Sequence, residues 1–157
     1  MTEEKKNIGL RILEIKELSY SNKLSDDLIN NFNEEKADIK LGFGVSGNEE
    51  QNTISISIIV HFKYPIAEKT KFKEFLKLET ETTFKIFNYT ENDIRFEDDN
   101  NQIFINDNIM SVFLSTSIGA TRGMLAYKIA SLPVNLVLPL FDMSQILPPT
   151  KNKKKSK

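Results

Sequence analysis

DNIMSVFLSTSIGATRGMLAYKIASL, residues Asp107–Leu132, is the stretch whose reading decides the fold, because no other long run has helical character. Asp107 is a candidate N-cap, since a carboxylate there accepts a free amide of the first turn. Pro133 ends the run by disfavouring helix at the residue before it. Ser111, Ser115, Gly119 and Gly123 recur every four residues and so share one side of the helix. A glycine inside a helix costs about 1 kcal/mol against alanine. Two on one stripe are explained if another backbone comes close. The remaining circumference carries Met110, Val112, Phe113, Leu114, Ile118, Met124, Leu125 and Ile129. A single sheet covers only one side of such a helix. The helix is therefore expected to face its own sheet with one side and a second subunit with another.

Upstream, the alternation is that of strands. Ile39, Leu41, Phe43 and Val45 alternate with Lys40, Gly42, Gly44 and Ser46, so the segment Ala37–Ser46 buries one face. A polar connection, Gly47–Asn52, leads to Thr53–Tyr64, where Ile54, Ile56, Ile58, Val60, Phe62 and Tyr64 share a face until Pro65. The link Lys69–Lys73 is charged. Phe75–Phe87 then sets Leu76, Leu78, Thr80, Thr82, Phe84 and Ile86 against Lys77, Glu79, Glu81 and Lys85. Opposite charges on neighbouring strands give small cross-strand gains. Nearer the start, Ile8–Tyr20 alternates on one parity through Ile12 and on the other from Leu13. A strand with a bulge accounts for that switch, and a short amphipathic helix also fits. Ser21–Lys36 reads as a crossover loop bearing Leu24, Leu28, Ile29 and Phe32 as apolar teeth. Asn88–Asn106 reads as irregular, with a turn at Asp98–Asn101. Pro133–Pro149 reads as extended and packed. Strands followed by one long helix predict an α+β fold: a four-stranded antiparallel sheet against one long C-terminal helix.

The 157 residues are enough for one core, with 39% apolar and 27% charged side chains. One domain is expected over residues 1–150, followed by a disordered basic tail at 151–157. Without cysteine there is no disulfide, thiol nucleophile or Cys-based zinc site, and a reducing, cytoplasmic setting is expected. The charged N-terminus has no apolar segment of the secretory kind. Arg122 and Lys128 interrupt the helix, which is not read as a membrane span. The tail KNKKKSK holds five lysines, and residues 1–150 carry a balance of −6. An acidic body is a poor electrostatic match for nucleic acid.

No catalytic constellation is visible. His61 is the single histidine and sits on the polar parity of a strand, which makes it a surface residue. Glu79 and Glu81 share a face with Lys77 and Lys85, so they read as a solvated strand face and not as an acid/base pair. The glycines of Gly42-Phe43-Gly44 and of the helix are not followed by the Lys-Ser/Thr pair of a phosphate loop. Asp98, Asp99 and Asp107 lack calcium-loop spacing. The chain is expected to be no enzyme and to need no cofactor or metal. Arg122 would be costly to bury unpaired. It reads either as a snorkelling side chain reaching carbonyls or water, or as an anchor at a subunit contact.

Four strand segments, a helix containing Ala120-Thr121-Arg122-Gly123, and then Leu132-Pro133-Val134-Asn135 together resemble the export chaperone SecB and its SecB-like relatives. Glu17–Asn22 is similar to that family's first strand, and the crossover at Ser21–Lys36 sits in the matching place. The resemblance covers roughly Arg11–Leu147. It implies a homodimer or homotetramer whose subunits meet through the helix and first strand, with Ser111, Ser115, Gly119, Arg122 and Gly123 at the contact. It implies ATP-independent holding of unfolded polypeptide in apolar grooves. By matching location, Tyr20, Leu28, Phe32, Phe62, Tyr64 and Phe141 would touch the client. No nucleic acid or membrane partner is implied. The sequence departs from the family after Pro-Val-Asn, where a second helix is not evident, and at the basic end, which counts against docking to an export motor ATPase. A module of the same shape binding one dedicated protein partner is the alternative. A small-molecule or enzymatic α+β domain is a third reading, which needs a deep pocket with converging polar groups.

Overall fold

The computed structural model describes residues 7–66, 71–97 and 102–147. β1 (Gly9–Asn22), β2 (Asp38–Asn48), β3 (Thr53–Pro65) and β4 (Phe72–Phe87) make one antiparallel sheet in the order β1-β4-β3-β2. α2 (Asp107–Ile129) packs across β3 and β4. The expected sheet and long C-terminal helix are therefore both present. Between β4 and α2 lies a hairpin of β5 (Ile94–Glu97) and β6 (Gln102–Ile105), where the sequence reads as irregular. Its strands are four residues each, too short for alternation to stand out. The hairpin packs on β2 at Gly47, where a Cβ would come within 2.7 Å of Ile103. The basic tail, the Asp98–Asn101 turn, the first two residues of the Lys69–Lys73 link and residues 1–6 lie outside the described residues.

Alternation dictates the core. Ile54, Ile56, Ile58, Val60 and Phe62 on β3, with Leu76, Leu78, Thr80, Thr82, Phe84 and Ile86 on β4, point at the helix and are buried. From α2, Ile109, Phe113, Leu114, Ser117, Ile118, Thr121, Leu125 and Ile129 meet them. The parity switch in β1 is resolved by two bulges, between Ile12 and Glu14 and between Glu17 and Ser19. On the outer face, Lys16 reaches Glu81 at 3.0 Å, and that bond raises the lysine's pKa.

Two helix boundaries differ from expectation. The N-cap is Asn106, whose side chain accepts from the Asn108 amide at 3.0 Å; Asp107 is the first helical residue, its charge in the first turn. The helix stops at Ile129, and the Leu132 amide closes a turn onto the Ile129 carbonyl. Pro133 thus acts a few residues early, because Leu132 before it cannot stay helical.

A helix about 10 Å across covers about two strands spaced about 4.8 Å apart. The two edge strands must find other cover. Lys128 leans toward β1, pairing with Glu17 at 2.6 Å and lying over the Tyr20 ring. Arg122 projects about 120° away around the helix and donates to the carbonyls of Leu138 and Pro139. Residues 133–142 therefore run back along α2, on the flank turned away from Lys128, as a strap without regular structure. It buries Val134, Leu136 and Leu138 and ends in α3 (Met143–Ile146). On the β1 side, Ile12 and Ile15 remain 44% exposed.

The helix–sheet seam contains four buried hydroxyls. Thr121 donates to the Ser117 carbonyl at 2.8 Å, so Thr80, 2.7 Å from the Thr121 oxygen, is the donor of that second bond. The hydroxyls of Thr82 and Ser117 have no hydrogen-bond partner among the described residues. Replacing an unpartnered hydroxyl by its apolar isostere removes a desolvation cost of about 1–3 kcal/mol, whereas stranding a partnered one adds it. Thr82→Val is expected to raise the urea midpoint and Thr121→Val to lower it, as read from two unfolding curves.

Candidate functional site

The crossover from β1 to β2 carries the chain from one edge of the sheet to the other, over its end. Ser25 caps α1 (Asp26–Asn30), its hydroxyl accepting from the Leu28 amide. Asn33 caps a single 3-10 turn at Glu34–Lys36. The loop is fastened at two places. The Lys23 amide donates to the Phe75 carbonyl at 2.7 Å. The Tyr64 hydroxyl donates to the Asn31 carbonyl at 3.0 Å and accepts from the Asn33 amide at 3.1 Å. Phe32 stacks on Tyr64 with centroids 5.4 Å apart, and Phe75 meets both rings edge-on.

Beneath the loop is a groove of about 590 Å³ whose apolar wall includes Leu28, Tyr64, Ile66 and Phe75. Lys23 and Lys73 stand on its rim with Asp27. Ile66 is 44% exposed. Apolar walls with flexible charges at the margin suit an extended segment of mixed sequence, because burial is non-directional and a rim cation tolerates many neighbours.

Of the expected client-contacting residues, the fold gathers Leu28, Phe32 and Tyr64. Phe62 is placed differently: it is fully buried and supports Phe75 from below, with no surface of its own, because its parity on β3 turns it under the helix. Tyr20 stands on β1 under Lys128, and Phe141 lies half-buried on the strap; no ring contact joins either to the cluster among the described residues. Phe75 was missed. The β3–β4 ladder shifts register between Phe62 and Lys63, and the shift leaves Phe75 and Leu76 both buried. The adjacent Phe-Leu pair, which breaks strict alternation, was the available signal.

The residues expected at a subunit contact divide. Ser115, Gly119 and Gly123 lie on the outward side of α2, and a Cβ at either glycine would meet nothing within 4 Å. Ser111 is half-buried. Arg122, expected either to snorkel or to anchor a subunit, is engaged by carbonyls of its own chain. Those carbonyls belong to a segment without a strand partner among the described residues. Asp142 caps α3 through the amide and hydroxyl of Ser144, which hold its carboxyl below the usual aspartate range.

His61 bonds Glu74 on the outer face of the sheet, and Glu79 and Glu81 are engaged by Ser19, Lys77 and Lys16. No group of three or more metal-ligating side chains occurs among the described residues.

With that geometry in place, comparison with solved structures finds the SecB-like chaperone Rv1957 of Mycobacterium tuberculosis, in complex with a ChAD peptide from the Rv1956 HigA1 antitoxin. The two chains superpose with a TM-score of 0.51 at 11% identity, over 85% of this chain and 91% of the other. The fold is SecB-like. A protein of unknown function from Streptococcus agalactiae aligns over 85% of this chain and 99% of its own at 13% identity, with a TM-score of 0.36. No family model and no curated protein sequence matches.

Tyr64→Phe keeps the ring stack and removes both bonds to the loop. The Asn33 amide is expected to exchange faster with solvent, with a stability loss of about 1–2 kcal/mol. Hydrogen exchange and a urea curve read the two effects.

Proposed function

We propose that this protein is a non-enzymatic, ATP-independent holder of unfolded polypeptide, seating client segments in the groove beneath the crossover loop. The observation that carries the proposal is that groove. Leu28, Tyr64, Ile66 and Phe75 form an open apolar wall, and Tyr64 fixes the loop that roofs it. The SecB-like fold supports the reading at the level of architecture. A dedicated partner in place of general clients is the second reading, favoured by the antitoxin peptide carried by the neighbour from Mycobacterium tuberculosis.

Self-association into a homodimer or homotetramer belongs to the same proposal. The outward side of α2 joins the small residues Ser115, Gly119 and Gly123 to exposed Val112 and Tyr127. β1 adds Ile12, Leu13, Ile15 and Leu18, all exposed. Apolar surface spread over one helix side and one sheet edge is the kind that a second copy covers.

The protein is expected to suppress aggregation of a chemically denatured substrate at a few-fold molar excess, and Leu28→Asp to lose at least most of that effect while keeping its unfolding transition. Failure of the unaltered chain at several-fold excess rules out a general holder and leaves only the dedicated-partner reading. Gly119→Leu and Gly123→Leu face open space within the chain, so both fold, and both are expected to dissociate the assembly in light scattering. An unchanged mass in both removes the helix side from the subunit contact.

A further inference from the structure

The strap at residues 133–142 has the side-chain pattern of a β-strand and none of its pairing. Val134, Leu136 and Leu138 are buried, while Asn135, Val137, Pro139 and Leu140 are exposed, Leu140 to 88%. Among the described residues, no backbone hydrogen bond joins 133–141 to any strand or helix other than through a side chain. Pro133 and Pro139 have no amide hydrogen to offer. Three buried apolar side chains, the half-buried Phe141 ring and the two Arg122 bonds to the Leu138 and Pro139 carbonyls hold this segment in place.

Those are the terms on which a protein holds a foreign extended peptide: sockets for alternate side chains, and a donor for a carbonyl. A segment within a sheet is locked by its ladder. This one can leave by withdrawing three buried side chains and the half-buried Phe141 ring and releasing one guanidinium. A depression of about 570 Å³, lined by Ala126, Ala130, Val134 and Val137, already opens where the strap meets the helix. We infer that the seat of the strap is a second peptide groove, occupied here by the chain's own segment. It exchanges that segment for an extended client with apolar side chains at alternate positions, prolines tolerated, and a carbonyl for Arg122. The inference rests on the polypeptide-holding function proposed above and adds a competitor built into the chain.

In such an exchange, apparent affinity is the intrinsic affinity multiplied by the fraction of seats vacated. Loosening the strap without touching the seat must therefore tighten binding of a peptide supplied from outside. The probe is a fluorescent synthetic peptide of sequence LPVNLVLPLFD, which is residues 132–142, added to the full chain. Leu138→Ser is expected to bind it about tenfold more tightly than the unaltered protein. Because the chain has no cysteine, Leu136→Cys supplies a single buried thiol, whose labelling rate is expected to rise at least fivefold at saturating peptide. Ile58→Cys, in the sheet core, is expected to stay unreactive. Unchanged Leu136→Cys labelling at saturating peptide overturns the exchange, even if Leu138→Ser proves too unstable to measure. So does no binding of the peptide, or equal affinity in a folded Leu138→Ser chain. The aggregation assay reads the parent function separately: a chain that holds denatured substrate with its strap thiol still protected refutes the strap exchange alone.

Discussion

One helix must cover four strands, and it cannot. The width of α2 matches β3 and β4, and the rest of the molecule is arranged around the strands it leaves over. The β5–β6 hairpin packs on β2, and the strap lies on the flank of α2 turned away from Lys128. On the β1 side, Lys128 reaches out to Glu17 and Tyr20, and beyond them Ile12 and Ile15 face outward on the helix side of the sheet. The two charged side chains of the helix interior therefore have opposite tasks: one ties it to an edge strand, the other ties a loose segment to it. Each is half-buried and each is satisfied, which is the condition under which a charge is tolerated at that depth.

The seam between helix and sheet follows from the same constraint. Ser117 and Thr121 are small enough to let the helix settle over Thr80 and Thr82. The close approach anticipated from Gly119 and Gly123 is thus made, within the chain, by a different pair of small residues about a third to a half turn away. The glycine side is left over, uncovered by anything among the described residues. That surplus, set beside the bare β1 face, is what the proposal of a second copy rests on.

Most of the architecture was legible because period-2 burial runs unbroken from Ile54 to Phe62 in β3 and from Leu76 to Ile86 in β4. The two bulges of β1 were legible in part, since within a strand an inserted residue is what moves the apolar side chains to the opposite parity, as happens at Leu13; the second bulge, at Leu18, follows a Lys-Glu pair that carries no parity. The groove was half legible. Leu28 and Tyr64 line it and Phe32 stacks on Tyr64, whereas Phe62 is fully buried, because alternation gives a residue's side of the sheet and not what lies over it. Phe75 was hidden by a register shift that only the paired strand reveals. Arg122 could be seen to need acceptors, yet which acceptors depended on where a strap without regular structure runs, and no local pattern encodes that path. The short hairpin and the helix cap at Asn106 lie at the scale where neighbouring candidates differ by a single hydrogen bond.

The two irregularities in β1 reach beyond the side chains they re-aim. β1 is a long, greasy strand on an open edge, the arrangement most prone to recruiting further chains into a growing fibril. Each bulge interrupts the row of amides and carbonyls and coils the strand more tightly, so a flat incoming segment cannot zip along its whole length. An edge broken in this way accepts a short or equally coiled neighbour and refuses endless stacking. A protein that keeps so much oily surface uncovered has, in those two extra residues, a safeguard against becoming an aggregate itself.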